Sequence, residues 1–548
     1  MLALPVSAAF AQSFGGGGGN PVATLPQVNA PAPPPKVTVA VQQPNPQLQQ
    51  LLATPVTPSA FQIQGIKSIP FAEVADRFKA LVGHPTTVGQ LIETANGITR
   101  MYQDAGYALS FCFVPAQSFE NGVVKITAVE GYVGSVTISG DARNVEDKIR
   151  AIAAHIVADR PLKKSTFERY INVMSLLPGT QITANVAPPT MTDGATTLDL
   201  AVTRKRFTAG TGLNFNQPGI AGLLSASENG LLSLGEQLSV SALYPPGRDH
   251  QTYYTLGYSQ PIGSDGLVAR LDASHYDGQP DTPGLPSILK RTVKQDKVGG
   301  TVSYPILLSN TRSVVAGVSA YGSYNEDRYQ NVDTGAEIRL RSQVRVLQAQ
   351  IAYADTKPTQ TQQATFNIGH GFNLLGASTD YQSPGNTPNP APVDLNFTRF
   401  TGAFSQANSW PYQFGTAFNF AAQYSANTLP TPEQTTFGGQ RFGLGYEPGE
   451  AGGDSGWGAS FEINRSFAIN YTYLTTLIPY VSYDMARVYL HRGTPVPAHL
   501  ASVALGVRLT DKRFYTLDLS LGRAVGDAPA ENSSRSPRVN AAFSYQLN

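Results

Sequence analysis

The chain has 548 residues, only 14% of them charged, and a formal net charge of +1. Soluble domains carry about 25% charged residues, and no run of about 18 apolar residues is present to form a spanning helix. The composition is therefore unusual for a soluble chain and excludes a helical membrane protein. The near-zero net charge gives no reason to expect nucleic acid as a partner. The single cysteine, Cys112, excludes a disulfide framework and a cysteine-based metal cluster.

The first 58 residues have the composition of a leader followed by a linker. Residues 1–11 end in a small-residue site at Ala9-Phe10-Ala11, which predicts the remnant of a secretory signal peptide. Residues 12–58 contain five consecutive glycines and then ten prolines. Such a segment favours extended conformations and cannot bury a core, so it is predicted to be a Pro/Gly-rich linker.

Residues 59–205 predict two copies of a small α+β module, 59–132 and 133–205. The first copy starts with the alternating strand pattern "FQIQGI". Two stretches of helical periodicity follow, and the second stops at Gly106. The segments "YALSFCFVP" and "GVVKITAVEG" then predict two strands. The second copy repeats this β-α-α-β-β order, with a capping box at Ser165–Glu168 predicted to open its second helix.

Residues 206–548 lose the helical period and alternate apolar with small or polar residues. A soluble sandwich and a transmembrane barrel both produce this alternation. The segment is too long for one sandwich of about 100 residues, and its polar positions repeatedly hold Arg and Asp, which suits a hydrated lumen. At about 10 residues per spanning strand, an antiparallel β-barrel of about sixteen strands is the preferred interpretation. The last strand places Phe543, Tyr545 and Leu547 in phase on one face.

The segment "FGGQRFGLGYEPGEAGGDSGW" (437–457) lies between two predicted strands and contains eight glycines. A dinucleotide-binding loop would open a helix after its glycines, and a Walker A loop needs a lysine. No helical pattern follows Gly445, and the segment contains no lysine. Nucleotide binding is therefore not expected. The aromatic residues and Arg441 indicate that this loop packs against another part of the molecule.

This segment resembles the sixth extracellular loop of the Omp85 superfamily, in the form found in two-partner secretion transporters (the ShlB/FhaC/HecB-type hemolysin activation/secretion proteins). The stretch "GYALSFCFVPAQSFENGVVKITAVEGYVGSVTISG" resembles the junction of their two POTRA modules. The resemblance covers residues 59–548 and implies two periplasmic POTRA modules before a sixteen-stranded outer-membrane barrel of a Gram-negative bacterium. The loop residues that it singles out are Gly438, Gly439, Arg441, Phe442, Gly443, Leu444, Gly445, Tyr446, Gly453 and Asp454.

The resemblance also implies a contact between this loop and the barrel wall. The family's loop arginine meets an acidic residue on a strand, and Asp484 in "PYVSYDMARVY" occupies the acidic position. Leu444 stands where the family has its arginine, so the usual ion pair is in doubt. Because a buried carboxylate without a partner is costly, a cation is expected beside Asp484. Arg441, Arg465 and Arg487 are the candidates, with water as the alternative.

The function implied by the resemblance is capture of an unfolded exoprotein by the POTRA modules and its passage through the barrel to the cell surface. The implied partners are this exoprotein, outer-membrane lipid, and the outer-membrane assembly machinery, which would read Phe543, Tyr545 and Leu547. Two alternatives remain: an Omp85-type assembly factor for outer-membrane proteins and a passive porin. No hydrolase or metalloprotease motif is present, so neither catalysis, a cofactor nor a metal is expected.

Overall fold

The computed structural model describes residues 52–119, 121–215, 221–244, 251–280, 282, 285–384, 389, 392–492, 495, 497–530 and 534–547. The predicted signal remnant at 1–11 and nearly all of the linker at 12–58 lie outside these residues. The described part of the chain forms two small α/β modules followed by a closed antiparallel barrel. None of the helices within it has both the length and the apolar character needed to cross a membrane.

The two modules share one topology. In each, the first and last strands pair in parallel, and the middle strand pairs antiparallel with the last. The first module consists of β1 (Pro55–Val56), β2 (Ala60–Gln64), α1 (Phe71–Lys79), β3 (Thr86–Thr87), α2 (Val88–Asp104), β4 (Phe111–Phe113) and β5 (Val123–Val129). The second consists of β6 (Tyr132–Gly140), a 3-10 turn at Arg143–Val145, α3 (Glu146–Ala158), α4 (Lys164–Ser175), β7 (Thr180–Val186) and β8 (Ala195–Arg204). The predicted β-α-α-β-β order is confirmed for both copies.

Each module has its own apolar core between its helices and its sheet. In the first, Leu91, Ile98 and Tyr102 of α2 are completely buried, as the helical spacing predicts. The linker boundary at residue 58 is wrong by a few residues, because β1 pairs with β3 and Val56 is buried in the module core. The capping box is also wrong. Helix α4 begins at Lys164, so Ser165 lies inside its first turn, and no side chain caps it.

The barrel closes by pairing of its first and last strands. Its segments are β9 (Phe207–Asn214), β10 (Ala221–Asn229), β11 (Gln237–Tyr244), β12 (Thr252–Ile262), β13 (Leu267–Gly278), β14 (Leu289–Leu308), β15 (Arg312–Asn331), β16 (Glu337–Lys357), β17 (Gln360–Gly371), β18 (Ser378–Gln382), β19 (Thr398–Ser409), β20 (Phe414–Ser425), β23 (Ser455–Arg465), β24 (Phe467–Tyr471), β25 (Leu474–Tyr489), β26 (His499–Thr510), β27 (Tyr515–Ala524) and β28 (Arg538–Leu547). Segments β17 and β18 both pair with β16, and β23 and β24 both pair with β25, so the eighteen barrel segments form sixteen strands, as predicted.

Apolar side chains of the strands face outward and polar ones face the lumen. Leu271 and Val539 are 63% and 72% exposed, whereas Asn540, next to Val539, is 2% exposed. This is the opposite of a soluble sandwich, where the apolar face would be the buried one. The alternating segment is therefore a barrel with an apolar exterior and not a soluble sandwich.

The second module is held against the turns at one end of the barrel. The Arg169 guanidinium donates to the Asp265 carboxylate at 3.1 Å and to the Tyr304 hydroxyl at 2.8 Å. His155 lies 2.9 Å from the Ser264 hydroxyl. Partial burial pushes the pKa of Asp265 upward, but hydrogen bonds from Tyr304 and Arg169 outweigh it and hold the pKa below its ordinary value. These contacts place the modules at the end where the turns are short.

Candidate functional site in the barrel lumen

The connection between β20 and β23, residues 426–454, is the sixth long loop of the barrel and is called loop 6 here. It contains a short 3-10 turn (Thr431–Glu433) and a hairpin of β21 (Thr435–Phe437) and β22 (Ala451–Gly453). Beyond the hairpin the chain doubles back on itself. A Cβ on Gly438 would lie 2.2 Å from the Glu447 carbonyl oxygen, and the φ of Gly438 is +123°. The glycine run is therefore required for this tight fold.

The tip of loop 6 touches strand β27 backbone to backbone. A Cβ on Gly445 would lie 2.3 Å from the Ala524 nitrogen, and a Cβ on Gly522 would lie 2.3 Å from the Leu444 carbonyl oxygen. Both distances are far below van der Waals contact. Glycines on the loop and on the wall thus allow the loop to lie flat against the strand. Gly522 is a part of the site that the sequence did not reveal.

Apolar packing fixes the loop against the inner wall. The rings of Phe437 and Phe442 are 5.9 Å apart, and Tyr446 is completely buried. The rest of this cluster consists of Ala451 of the loop and Ala486, Val488, Leu500 and Ala524 of the wall. The prediction from the aromatic residues, that this glycine-rich loop packs against something, is confirmed by this cluster.

Polar contacts join the same part of the loop to the last strands of the barrel. The Tyr446 hydroxyl donates to the Asp527 carbonyl at 2.8 Å and accepts from the Ala501 N–H at 3.3 Å. Asn540 donates to the Leu444 carbonyl at 2.8 Å. Since Tyr446 is buried and Leu444 is half-buried, both groups would be costly to leave without a partner. The tip is consequently held by directional bonds as well as by its apolar contacts.

Asp484 lies beneath the loop tip and is 4% exposed. Its Oδ2 accepts from the Leu444 backbone N–H at 3.3 Å and from the Ser502 hydroxyl at 3.2 Å. The loop and the acidic residue therefore meet, as the resemblance implies. The donor, however, is a backbone amide of the residue that stands in the place of the family's arginine.

The prediction that Arg465 or Arg487 supplies a cation beside Asp484 is wrong, because both side chains lie on the exterior of the barrel. The Arg465 guanidinium lies on the exterior, 5.0 Å from the centroids of both the Phe414 and the Phe467 rings. Arg487 is three residues from Asp484 on the same strand and is exposed on the opposite face, because strand side chains alternate. The guanidinium of the third candidate, Arg441, lies 5.5 Å from the centroid of the Phe437 ring.

Asp454 closes the base of loop 6 and is completely buried. It accepts from the Leu429 N–H at 2.8 Å, from the Gln434 amide at 3.1 Å and from the His491 N–H at 2.9 Å. One carboxylate thus ties both ends of loop 6 to the following loop. The sequence placed Asp454 in the loop but gave no sign of these partners, which come from the start of loop 6 and from the following loop.

A second buried carboxylate in loop 6, Glu433, was missed by the sequence analysis. It forms an ion pair with Arg399 of β19 at 2.7 Å, and both side chains are at most 5% exposed. The Tyr321 hydroxyl of β15 lies 2.9 and 3.0 Å from the two carboxylate oxygens. Sequence offered only a weak signal here: an arginine on the polar face of a predicted strand.

The predicted C-terminal residues lie on the last strand, which pairs with the first. Phe543 and Tyr545 stack with centroids 6.4 Å apart, Phe543 stacks on Tyr515 at 6.1 Å, and Leu547 is 60% exposed on the exterior. Their common outward face agrees with the predicted phase. Their role as an assembly signal stays a prediction, and Asn548 lies outside the described residues.

Comparison with known proteins yields two family matches. Residues 56–131 match the ShlB-type POTRA domain, and residues 221–509 match the haemolysin secretion/activation protein family ShlB/FhaC/HecB. The chain is 22% identical to the hemolysin transporter protein ShlB of Serratia marcescens over 91% of this chain and 89% of that protein. It is 21% identical to the heme/hemopexin transporter protein HuxB of Haemophilus influenzae, over 82% and 80% of the two chains.

Among solved structures, CdiB from Escherichia coli matches with a TM-score of 0.67 at 15% identity, covering 92% of this chain and 93% of that one. This likeness supports the fold of modules followed by barrel. The family match spans more than half of the chain and includes loop 6 and Asp484. The chain therefore belongs to the ShlB/FhaC/HecB family of haemolysin secretion/activation proteins, outer-membrane barrels with periplasmic POTRA modules.

Proposed function

We propose that this protein captures one secreted exoprotein in the periplasm and passes it, unfolded, through the barrel lumen to the cell surface. The observation that carries the proposal is a pair of modules of one topology, the first of which matches the ShlB-type POTRA domain, joined to a sixteen-stranded barrel that holds loop 6 inside its lumen. Relatives that share this architecture are named as transporters of hemolysin and of heme/hemopexin. The partner of this chain would be an exoprotein of the same general kind.

Capture would occur at the β6 edge of the second module. Its sheet order is β6-β8-β7, so among the described residues β6 and β7 each have a strand on only one side, and β6 is the edge that lines a groove, through Val136. An extended segment can pair with such an edge through backbone hydrogen bonds, which depend little on sequence. Edge pairing therefore suits an unfolded cargo.

A groove of about 520 Å³ runs between this edge and helix α3. Its lining is mostly apolar and includes two arginines; the lining residues are Val136, Arg150, Ala153, Ala154, Val157, Ala158 and Arg160. Apolar side chains of an edge-paired segment would point into this groove, because alternate side chains of a strand share a face. Groove and edge together would bind a strand of alternating pattern.

A matched pair of variants tests the groove. Ala154→Asp places a carboxylate on the groove, whereas Ala151→Asp makes the same change on the exposed face of the same helix, outside the lining. We expect secretion of the cognate exoprotein to fall several-fold in the first variant and to stay at the wild-type level in the second. Equal secretion by both would remove the groove from the mechanism.

The function itself is tested by deleting the gene and comparing secreted and outer-membrane proteins. Loss of a single surface or secreted protein, restored by the plasmid-borne gene, is the expected result. A general decline of outer-membrane proteins would support the assembly factor instead. A change confined to the uptake of small solutes would support the passive porin.

A further inference from the structure

Glu433 stands at the centre of a buried charged cluster at the base of loop 6. Its carboxylate pairs with Arg399 at 2.7 Å. Its backbone carbonyl accepts from Arg399 at 3.2 Å and from the Gln423 amide at 2.9 Å. Tyr321 donates its hydroxyl proton to the carboxylate. Both the side chain and the backbone of this one loop residue are therefore bound to the wall.

A second cation belongs to the same cluster. The Lys297 ammonium lies 4.0 Å from the centroid of the Tyr321 ring, and it interacts electrostatically with Glu433. Tyr321 thus contacts the ammonium through its ring and the carboxylate through its hydroxyl. We call Glu433, Arg399, Tyr321 and Lys297 the base cluster.

The base and the tip of loop 6 contact walls on opposite sides of the barrel. Counting β9 as the first of sixteen strands, Lys297 and Tyr321 lie on the sixth and seventh. Ala501 and Ala524, which touch the tip, lie on the fourteenth and fifteenth. Eight strands separate each pair, which is half of the circumference, whereas Arg399 and Gln423 lie on the tenth and eleventh strands. Loop 6 therefore joins the sixth to eleventh strands, at its base, to the thirteenth to sixteenth strands, at its tip.

We propose that the base cluster is the latch that keeps the lumen closed, an inference that rests on the proposed function. Glu433 is the positioning residue, whose contacts with the wall break when an exoprotein enters. The tip is held by apolar packing, by close backbone contacts and by one ion pair, between Arg538 and Glu447 at 3.1 Å. At the base, Leu429 adds apolar contacts, but the base cluster brings two cations to one carboxylate, Glu433. Carboxylates and amines of an entering polypeptide can replace Glu433 at Arg399 and Lys297, or replace these cations at Glu433, because they form the same kind of charge-assisted bond.

The test is the conductance of the full-length protein in planar lipid bilayers, which needs no exoprotein. Glu433→Gln keeps the shape but removes the charge, and leaves Arg399 buried without its full counter-charge. Breaking a buried pair in this way is strongly destabilising. We expect the time spent in open states to rise at least about tenfold. The double variant Glu433→Arg with Arg399→Glu is expected to restore closure at least in part.

The matched control is another buried pair in the same barrel. Arg291 and Asp327 join β14 to β15 at 2.7 Å, with side-chain exposures of 4% and 5%, against 5% and 3% for Arg399 and Glu433. Asp327→Asn therefore breaks an equally buried pair between two wall strands, on the side of Thr282. It is expected to leave the conductance at the wild-type value.

Two outcomes would overturn the proposal: closed conductance in Glu433→Gln, or equal opening in Glu433→Gln and Asp327→Asn. Where Glu433→Gln fails to insert, Tyr321→Phe removes only the hydroxyl group that binds Glu433 and is expected to open the channel to a smaller extent. Wild-type conductance of that variant overturns the latch as well. Failure of the proposed export function is seen separately, as an unchanged set of secreted proteins after gene deletion.

Discussion

Replacing Gly445 by alanine should release the tip of loop 6 from the barrel wall. The added Cβ would lie 2.3 Å from the Ala524 nitrogen and 2.5 Å from the Arg523 carbonyl carbon. Both are backbone atoms of a strand in the middle of a sheet and cannot rotate away. The tip must therefore retreat by roughly 1 Å before ordinary contact is restored.

The cost follows from the bonds that this retreat breaks. The Leu444 N–H lies 3.3 Å from the Asp484 carboxylate, already near the limit of a hydrogen bond, and Asn540 donates to the Leu444 carbonyl at 2.8 Å. A bond to a charged group contributes about 1.5–3 kcal/mol and a neutral one about 1 kcal/mol. A loss of about 3 kcal/mol corresponds to roughly a hundredfold larger fraction of released loop.

The assay is tryptic cleavage after Arg441 in intact outer membranes, since trypsin reaches this bond only when the loop leaves the lumen. We expect cleavage of Gly445→Ala to be roughly a hundredfold faster than that of the wild type. Gly402→Ala is the matched control, because its Cβ would come no closer than 3.8 Å to the Thr365 carbonyl oxygen. Wild-type cleavage rates in a folded, membrane-inserted Gly445→Ala barrel would refute the steric reasoning.

Three further predictions follow from the same structure. Asp484→Ala removes the acceptor of the Leu444 N–H; secretion should fall while the barrel still inserts, and full secretion would remove Asp484 from the mechanism. The Arg169–Asp265 contact should hold above about pH 4 and weaken only as the pH falls through the lowered pKa of Asp265, because the contact stabilises the charged carboxylate. Hydrogen exchange in the adjoining turn measures this weakening, which is at most about 1 kcal/mol because Asp265 is half exposed. Asp265→Asn should abolish the pH dependence. Phe543→Ser should lower the amount of inserted barrel, measured by heat-modifiable mobility on gels; unchanged insertion would exclude this residue from the assembly signal.

Local patterns predicted most of the fold. Period-two alternation identified the barrel strands, and helical spacing identified the buried face of α2, because both periods are set by backbone geometry between near neighbours in the chain. Errors occurred where tertiary contacts override local signals. The linker boundary failed because β1 gains its stability from pairing with β3, thirty residues away, and the capping box failed because α4 starts before its expected cap.

By itself, the sequence determined the order of two modules and a barrel, the position of loop 6 and the residues at its tip. Only the tertiary structure decided which groups meet in the lumen. Glu433 and Tyr321 are 112 positions apart in the chain, and a backbone N–H of Leu444 takes the place in which the resemblance implied a guanidinium. The physical reason is that contacts across the lumen depend on how sixteen strands close and in which register, a geometry that no local stretch of residues encodes.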